Sequence, residues 1–342
     1  MNVPAQDDRL TTVDYHTAGE PFRIVLGGVP DTVGATVAER RQHAIGSESI
    51  DRVRRLLCHE PRGHADMYGG FLTPPDDDGA DLGVLFWHKD GYSTACGHGT
   101  IALGAWAVQS ARVTADPDGD TDVVIDVPSG RVTARVRSRA GVVESVAFRN
   151  VPAYVLGRGI EVRLENGPVL VDLSYGGAIY ASVPASAFGL TVTPQHYSRL
   201  IEVGRNVKWA LDSSEWARHP SDPRLSGVYG TILYDDLGST PEGPHQRNVT
   251  VFADGEVDRS PCGSGTSARA ALLADEGRLA PGQTLTHDSI VGTTFTASVV
   301  AETTAEARRA VVTEVRGMAY RTGEHVFVSD AADPVGTGFV LR

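Results

Sequence analysis

A chain of 342 residues, 41% hydrophobic and 22% charged, has the balance of a globular protein and room for two ordinary domains or one large one. Its formal charge of −12 argues against nucleic acid or an anionic membrane surface as partners, since both require a basic face. No apolar run approaches the ~18 residues of a membrane-spanning helix, and the polar start MNVPAQDDRLTTVDYH lacks the regions of a signal peptide, so the expected location is the cytoplasm.

The 38 glycines and many Val/Thr-rich alternating runs predict strands joined by tight turns. In chain order the first such strand is RIVLGG (23–28). Helical apolar spacing then runs from Val33 to Cys58, with a break at Gly46–Ser47. After the PRGH turn come the strand DLGVLFWH (81–88) and a helix, TIALGAWAVQS, that follows Cys96. DVVIDVP, RVTARVRS and VESVAFRN read as strands that complete this half. The second half opens with the strands PVLVDLSY and AIYASV, followed by the helix PQHYSRLIEVGRNVKWAL (194–211). TILYDD and NVTVFADG precede a helix, TSARAALLADEGRL, that follows Cys262. TFTASVV, AVVTEV and HVFVSD are the last predicted strands. The acidic stretches TPPDDDGAD (73–81) and DPDGDTD (116–122) read as solvated loops.

The order of features repeats, and the two cysteine motifs lie about half a chain length apart, as a duplication with little surviving identity would place them. Two similar parts facing each other across a cleft are expected, a common location for a small-molecule site. The expected division is residues 1–160 with Cys96 and residues 161–329 with Cys262, the boundary lying between 157 and 168. Residues 330–342 are a candidate completion of the first part.

Three cysteines cannot supply a disulfide framework. Cys58 reads as a small packed hydrophobe. The other two stand in matched settings, GYSTACGHGTIALGAWAV (91–108) and DRSPCGSGTSARAALL (258–273). Each places a cysteine at the start of a helix, followed by glycines. Free N–H groups at a helix start carry partial positive charge, so a cysteine there is expected to have a lowered pKa. Glycine leaves those N–H groups open to an anion, and a carboxylate suits them well. Two such helix starts could grip one carboxylate and set a sulfur on either side of the adjacent carbon. One thiolate would remove the α-proton of an amino acid while the opposite thiol returns one, inverting the centre without a cofactor. General acid–base help of this kind is worth roughly 10²–10⁴ in rate.

The stretches DYHTAGEPFRIV, EPRGHADMYG, CGHGTIALG, YGGAIYA and DRSPCGSGTSAR together resemble the proline racemase family over nearly the whole chain. This cofactor-independent group includes proline racemases, 4-hydroxyproline 2-epimerases and trans-3-hydroxy-L-proline dehydratases. The resemblance implies an α/β (α+β) fold similar to diaminopimelate epimerase, with two pseudo-symmetric lobes of strands wrapped around a central helix. It implies Cys96 and Cys262 as the catalytic pair. His98 and Asp258 match positions that hold the ring amine, and the N–H groups of Gly97, Gly263 and Ser264 match the carboxylate cradle. Ser264 stands where the family often has threonine. Tyr68, Phe86 and Phe252 match positions that line the substrate ring. The family's reactions need neither cofactor nor metal, its ligands are small imino acids, and a homodimer is its expected assembly.

Within the family, cysteine at both motifs favours racemisation or epimerisation, because a dehydratase branch carries threonine at the second. GHADMYG, VLFWHKDGYSTACGHG and VTVFADGEVDRSP nevertheless read closer to that dehydratase branch. Aromatic residues at the ring positions favour proline, with a hydroxyproline 2-epimerase next and a trans-3-hydroxy-L-proline dehydratase as the alternative.

Other motifs carry less. No CxxC accompanies Cys96 and His98, which argues against a zinc site. CGSGT lacks the lysine of a phosphate loop. His16 is expected to bond its own turn, and Arg62 and His64 to tie strands together. Asp258 admits two readings, a helix-start cap or an ammonium ligand. A non-catalytic amino-acid clamp is the reading from a different class, but it leaves the paired cysteines without a purpose.

Overall fold

The computed structural model describes residues 9–165 and 167–341. The first eight residues of the polar start read above therefore lie outside the described residues. Among the described residues, five α-helices are set among eighteen strands of one hydrogen-bonded network: α1 (Val37–Gly46), α2 (Glu48–Cys58), α3 (Gly97–Gln109), α4 (Tyr197–Asp212) and α5 (Gly263–Asp275). The break expected at Gly46–Ser47 separates α1 from α2, because Ser47 is extended (φ −104°, ψ 108°). Thr36 and Glu39 form a capping box that starts α1.

The strand pairing repeats. In the first set, Leu10–Thr17 pairs antiparallel with Glu20–Gly27, which runs parallel to Gly69–Thr73. Gly69–Thr73 pairs antiparallel with Leu82–His88, which runs parallel to Asp120–Val127; Gly130–Arg139 and Val142–Arg149 follow antiparallel. In the second set, Gly167–Tyr175, Ile179–Pro184, Val228–Thr240, Gly243–Phe252, Thr284–Ser289, Thr294–Ala305 and Arg308–Gly317 pair in the same alternation. Parallel neighbours need a crossover. The crossovers are α1 with α2, then α3, in the first set, and α4, then α5, in the second.

Two segments sit differently from the division drawn on the sequence. Ala153–Leu164 is one continuous strand that pairs with Gly167–Tyr175, so it belongs wholly to the second set. It also meets Arg308–Gly317 and closes that set into a ring. Conversely Ala319–Phe327, numbered with the second part, pairs with Leu10–Thr17 in the first set. Each set thus takes one strand from beyond the expected boundary: Ala153–Leu164 joins the second set as the hairpin neighbour of Gly167–Tyr175, and Ala319–Phe327 returns along the edge of Leu10–Thr17. The tail beyond it docks on the first set, through the Glu60–Phe339 bridge and the Arg62 guanidinium donating to the Gly336 carbonyl at 3.1 Å.

Strands with apolar alternation were legible. Gly69–Thr73 was not, since it starts with two glycines. A Cβ on Gly69 would lie 2.3 Å from the Trp87 ring, so the strand has exchanged propensity for close packing.

Helices α3 and α5 are the axes of the two sets and are buried on all sides over most of their length. Their small residues make that possible; a Cβ on Gly104 would come within 2.6 Å of Ala134. The two helices meet at their N-terminal ends. A Cβ on Gly97 would sit 2.5 Å from Gly263 Cα and 2.7 Å from Ser264 N, and one on Gly263 would sit 2.7 Å from Gly97 Cα. Backbone faces backbone here, so no side chain can give way. Gly97→Ala or Gly263→Ala is expected to push the helix starts apart and destabilise the fold by about 1–3 kcal/mol or more, read as a lower melting temperature. Gly46→Ala, with nothing within 4 Å, should be neutral or stabilising by up to about 1 kcal/mol.

Candidate active site

Cys96 caps α3. Its backbone is extended (φ −155°) and its Sγ accepts the Gly99 N–H at 3.2 Å. The same sulfur lies 3.5 Å from each nitrogen of the His98 ring. His98 Nδ1 in turn faces Asp258 Oδ2 at 3.7 Å, across the seam between the two strand sets. Asp258 Oδ1 is committed to its own turn, accepting the Ser260 N–H at 2.8 Å and the Ser260 hydroxyl at 2.6 Å. Asp258 therefore does not cap α5, which starts behind Cys262 without a side-chain cap: one oxygen closes the turn at Ser260 and the other faces His98.

Cys262 occupies the matching place before α5 with different geometry. Its φ of +63° is rare for a non-glycine residue and costs on the order of 1–3 kcal/mol. No side-chain hydrogen bond caps this helix. The thiol points toward the Tyr180 hydroxyl at 3.8 Å, and that hydroxyl pairs with Ser264 Oγ at 2.6 Å. Gly97, Gly263 and Ser264 are first-turn residues, whose N–H groups have no acceptor within their own helix.

An aromatic wall closes the space beside the thiols. The Tyr68 ring meets His98 edge-on at 4.9 Å and Phe252 at 5.8 Å, and Phe252 stacks on Tyr229 at 5.4 Å. The Tyr68 and Tyr229 hydroxyls are 3.0 Å apart. Phe86 sits one layer back from this wall. It packs on Phe22 at 6.0 Å, and Phe22 meets His98 at 5.8 Å.

The expectation of acidic thiols is overturned. Burial pushes the Cys96 thiol well above the ordinary thiol range; the Gly99 N–H opposes this, while Asp258, Cys262 and Glu20 add to it. Burial likewise raises Cys262, with Asp258 next, against the Gly265 N–H, Thr250 and Tyr180. Helix-start N–H groups cannot offset the removal of water and the neighbouring carboxylates. Both thiols are only 4% exposed, so the described state is a closed one. Cys58 is buried too, donates to the Met67 carbonyl at 3.3 Å and is pushed up to about 12, as suits a packing role.

The family model described as proline racemase matches residues 12–340. The chain belongs to the proline racemase family. It is 41% identical to a trans-3-hydroxy-L-proline dehydratase of Bacillus thuringiensis subsp. konkukian, over 97% of this chain and 98% of that protein. It is 44% identical to a 3-hydroxyproline 2-epimerase of Burkholderia multivorans, with the same coverage. The crystal structure of a hydroxyproline epimerase from Agrobacterium vitis, with bound trans-4-OH-L-proline, superposes with a TM-score of 0.90 at 31% identity, covering 98% of this chain and 96% of that one. The mixed α+β architecture with a closed ring of strands is therefore that of proline racemase family structures.

Several residues around the two thiols are not marked as such by the sequence. Tyr180 lay within a quoted motif, but its reach to Cys262 arises from strand pairing. Tyr229 carries no motif and His88 lies in a quoted stretch that gives it no role; they meet Phe252 only because Val228–Thr240 and Leu82–His88 approach it from opposite sets. Glu20 is fully buried with Oε1 lacking a hydrogen-bond partner, and burial and Asp258 push its carboxyl well up. His16 does bond its own turn, accepting the Gly19 N–H at 3.1 Å. Arg62 ties the C-terminal tail, and His64 Nδ1 accepts the Asp66 N–H at 3.2 Å.

His88, Asp90 and Glu256 bring metal-ligand atoms within 4.8 Å of one another. The Lys89 ammonium, 3.1 Å from both Asp90 oxygens and 3.9 Å from Glu256 Oε2, already supplies positive charge there. A cavity of about 550 Å³ reaches the outer side of the aromatic wall at His88 and Tyr229. Iodoacetamide should therefore alkylate Cys96 and Cys262 slowly in the folded protein at pH 7.5. The rate should climb through pH 9.5 rather than level off near 8.5, the free-thiol value, as followed by peptide mass spectrometry.

Proposed function

We propose that this protein is a cofactor-independent 2-epimerase of a hydroxylated imino acid, in which Cys96 and Cys262 exchange protons at Cα from opposite faces. The observation that carries this reading is the joining of the two cysteine-bearing helix starts at Gly97 and Gly263. In this reading the two strand sets act as two pseudo-symmetric lobes, and the substrate lies in their seam. Its carboxylate takes the first-turn N–H groups of Gly97, Gly263 and Ser264. Its ring ammonium bridges His98 and Asp258, whose facing atoms are 3.7 Å apart.

Substrate charge would then offset what raises the thiol pKa values. The ammonium compensates Asp258, which otherwise disfavours both thiolates. The carboxylate satisfies two helix ends whose positive poles meet. One thiol, once ionised, takes the α-proton as the opposite thiol gives one up, and the roles reverse for the 2-epimer. N–H donors at the carboxylate stabilise charge as it develops, worth on the order of 3 kcal/mol per donor removed.

The Tyr68–Tyr229 hydroxyl pair and the Tyr180–Ser264 pair favour a hydroxylated ring over proline itself, which the sequence alone placed first. A substrate hydroxyl buried without a partner costs roughly 1–3 kcal/mol, and these groups can supply one. The relatives named for 3-hydroxyproline chemistry support the same direction. A second reading, dehydration of trans-3-hydroxy-L-proline, draws on the dehydratase relative, since loss of the 3-hydroxyl begins with the same Cα deprotonation.

L-Proline and the trans-4-, cis-4- and trans-3-hydroxy-L-prolines would be followed in D₂O by NMR and polarimetry. Deuterium should enter Cα of both stereoisomers of a hydroxylated substrate. Cys96→Ser and Cys262→Ser should each lower that turnover by about 10²-fold or more. Near wild-type turnover in either variant would refute the two-thiol mechanism. Pyrroline-2-carboxylate from trans-3-hydroxy-L-proline, detected with o-aminobenzaldehyde, would replace the epimerase by the lyase. Tyr68→Phe should lose about 5- to 100-fold in kcat/KM on the hydroxylated substrate and little on proline.

A further inference from the structure

Asp258 is held from the opposite strand set at the residues on either side of it. Asp66, 3% exposed, lies in the loop before Gly69–Thr73 of the first set. Its Oδ1 accepts the Val257 N–H at 3.0 Å and its Oδ2 accepts the Arg259 Nη2–H at 2.7 Å. The Arg259 N–H donates to Glu20 Oε2 at 2.8 Å, again in the first set. Arg259 also folds back on the Val257 carbonyl at 3.2 Å, which stiffens the segment around Asp258.

The Asp66 loop is itself fixed. His64 accepts the Asp66 N–H, and two residues on, Tyr68 presents its hydroxyl to Tyr229 across the same seam. One short loop of the first set thus carries an aromatic ring of the wall and the carboxylate that grips the segment around Asp258.

We infer that Asp66 and Arg259 are positioning residues that clasp the two strand sets together, so that closing the seam and seating Asp258 opposite His98 are a single event. The inference rests on the two-sided site proposed above for the placement of substrate, while the clasp itself can be read without turnover. If the strand sets separate, Asp66 loses both donors together, Asp258 leaves His98, and the thiols meet solvent. Substrate can enter only in that state and react only after the clasp re-forms. The effect of weakening the clasp is therefore expected mainly in KM and in thiol exposure.

Asp66→Asn keeps shape and removes the charge, Arg259→Met removes the donor, and Arg259→Lys is the conservative variant. In folded protein, Asp66→Asn and Arg259→Met should each raise the alkylation rate of Cys96 and Cys262 at least tenfold. Arg259→Lys should recover part of that protection. On the substrate turned over by the wild type, KM should rise about tenfold or more while kcat falls less. The double variant should be no worse than either single one.

Unchanged thiol protection and unchanged KM in folded Asp66→Asn would overturn the clasp. So would a loss of thermal stability with kinetics intact, the mark of a purely structural pair. If Asp66→Asn does not fold, Arg259→Met decides, since wild-type protection and KM there refute the inference. If no imino acid is turned over, the functional proposal fails on its own, and the alkylation rates still test the clasp.

Discussion

The architecture turns on one contact: two buried helices meeting end to end through Gly97 and Gly263, backbone against backbone. Two N-terminal poles brought together repel, because each carries about half a positive charge. Such a junction is poorly satisfied by protein alone and well satisfied by an anion. The same closeness that forbids any side chain at these positions brings the two cysteine-bearing turns to one place. The strands packed around α3 and α5 hold each helix in place, since both are buried nearly throughout and cannot slide without opening their own cores.

Burial has a second consequence. The thiols are shut away from water and Asp258 adds negative potential beside both, so either thiolate is disfavoured. In the proposed mechanism an imino acid zwitterion carries both missing charges, a carboxylate for the helix poles and an ammonium for the carboxylates. Acid–base competence would then appear when substrate is bound and the seam is shut. The clasp of Asp66 on Val257 and Arg259 connects that charge balance to the mechanical state of the molecule.

The duplication is close in topology and loose in detail. Both sets follow the same alternation of parallel and antiparallel neighbours, and both cysteines precede the axial helix. Cys96 nevertheless caps its helix with its sulfur from an extended backbone, whereas Cys262 sits at positive φ beside a tyrosine hydroxyl. Two thiols in unlike settings suit a substrate whose two faces are unlike.

Much of this was legible in the residues themselves. Apolar alternation marked most strands, the Gly46–Ser47 break fell where the chain breaks, and the matched Cys-Gly motifs located both helix starts. These are local properties, set by side-chain periodicity and by the turn and cap preferences of a few residues. The partners of Leu10–Thr17 and Ala153–Leu164, the setting of Phe86 behind Phe22, the grouping of Tyr180, Tyr229 and His88, and the direction of the thiol pKa shifts were decided only by the tertiary structure. Strand register, ring contacts and desolvation depend on which distant segments pack together, and a linear order of residues does not contain those distances.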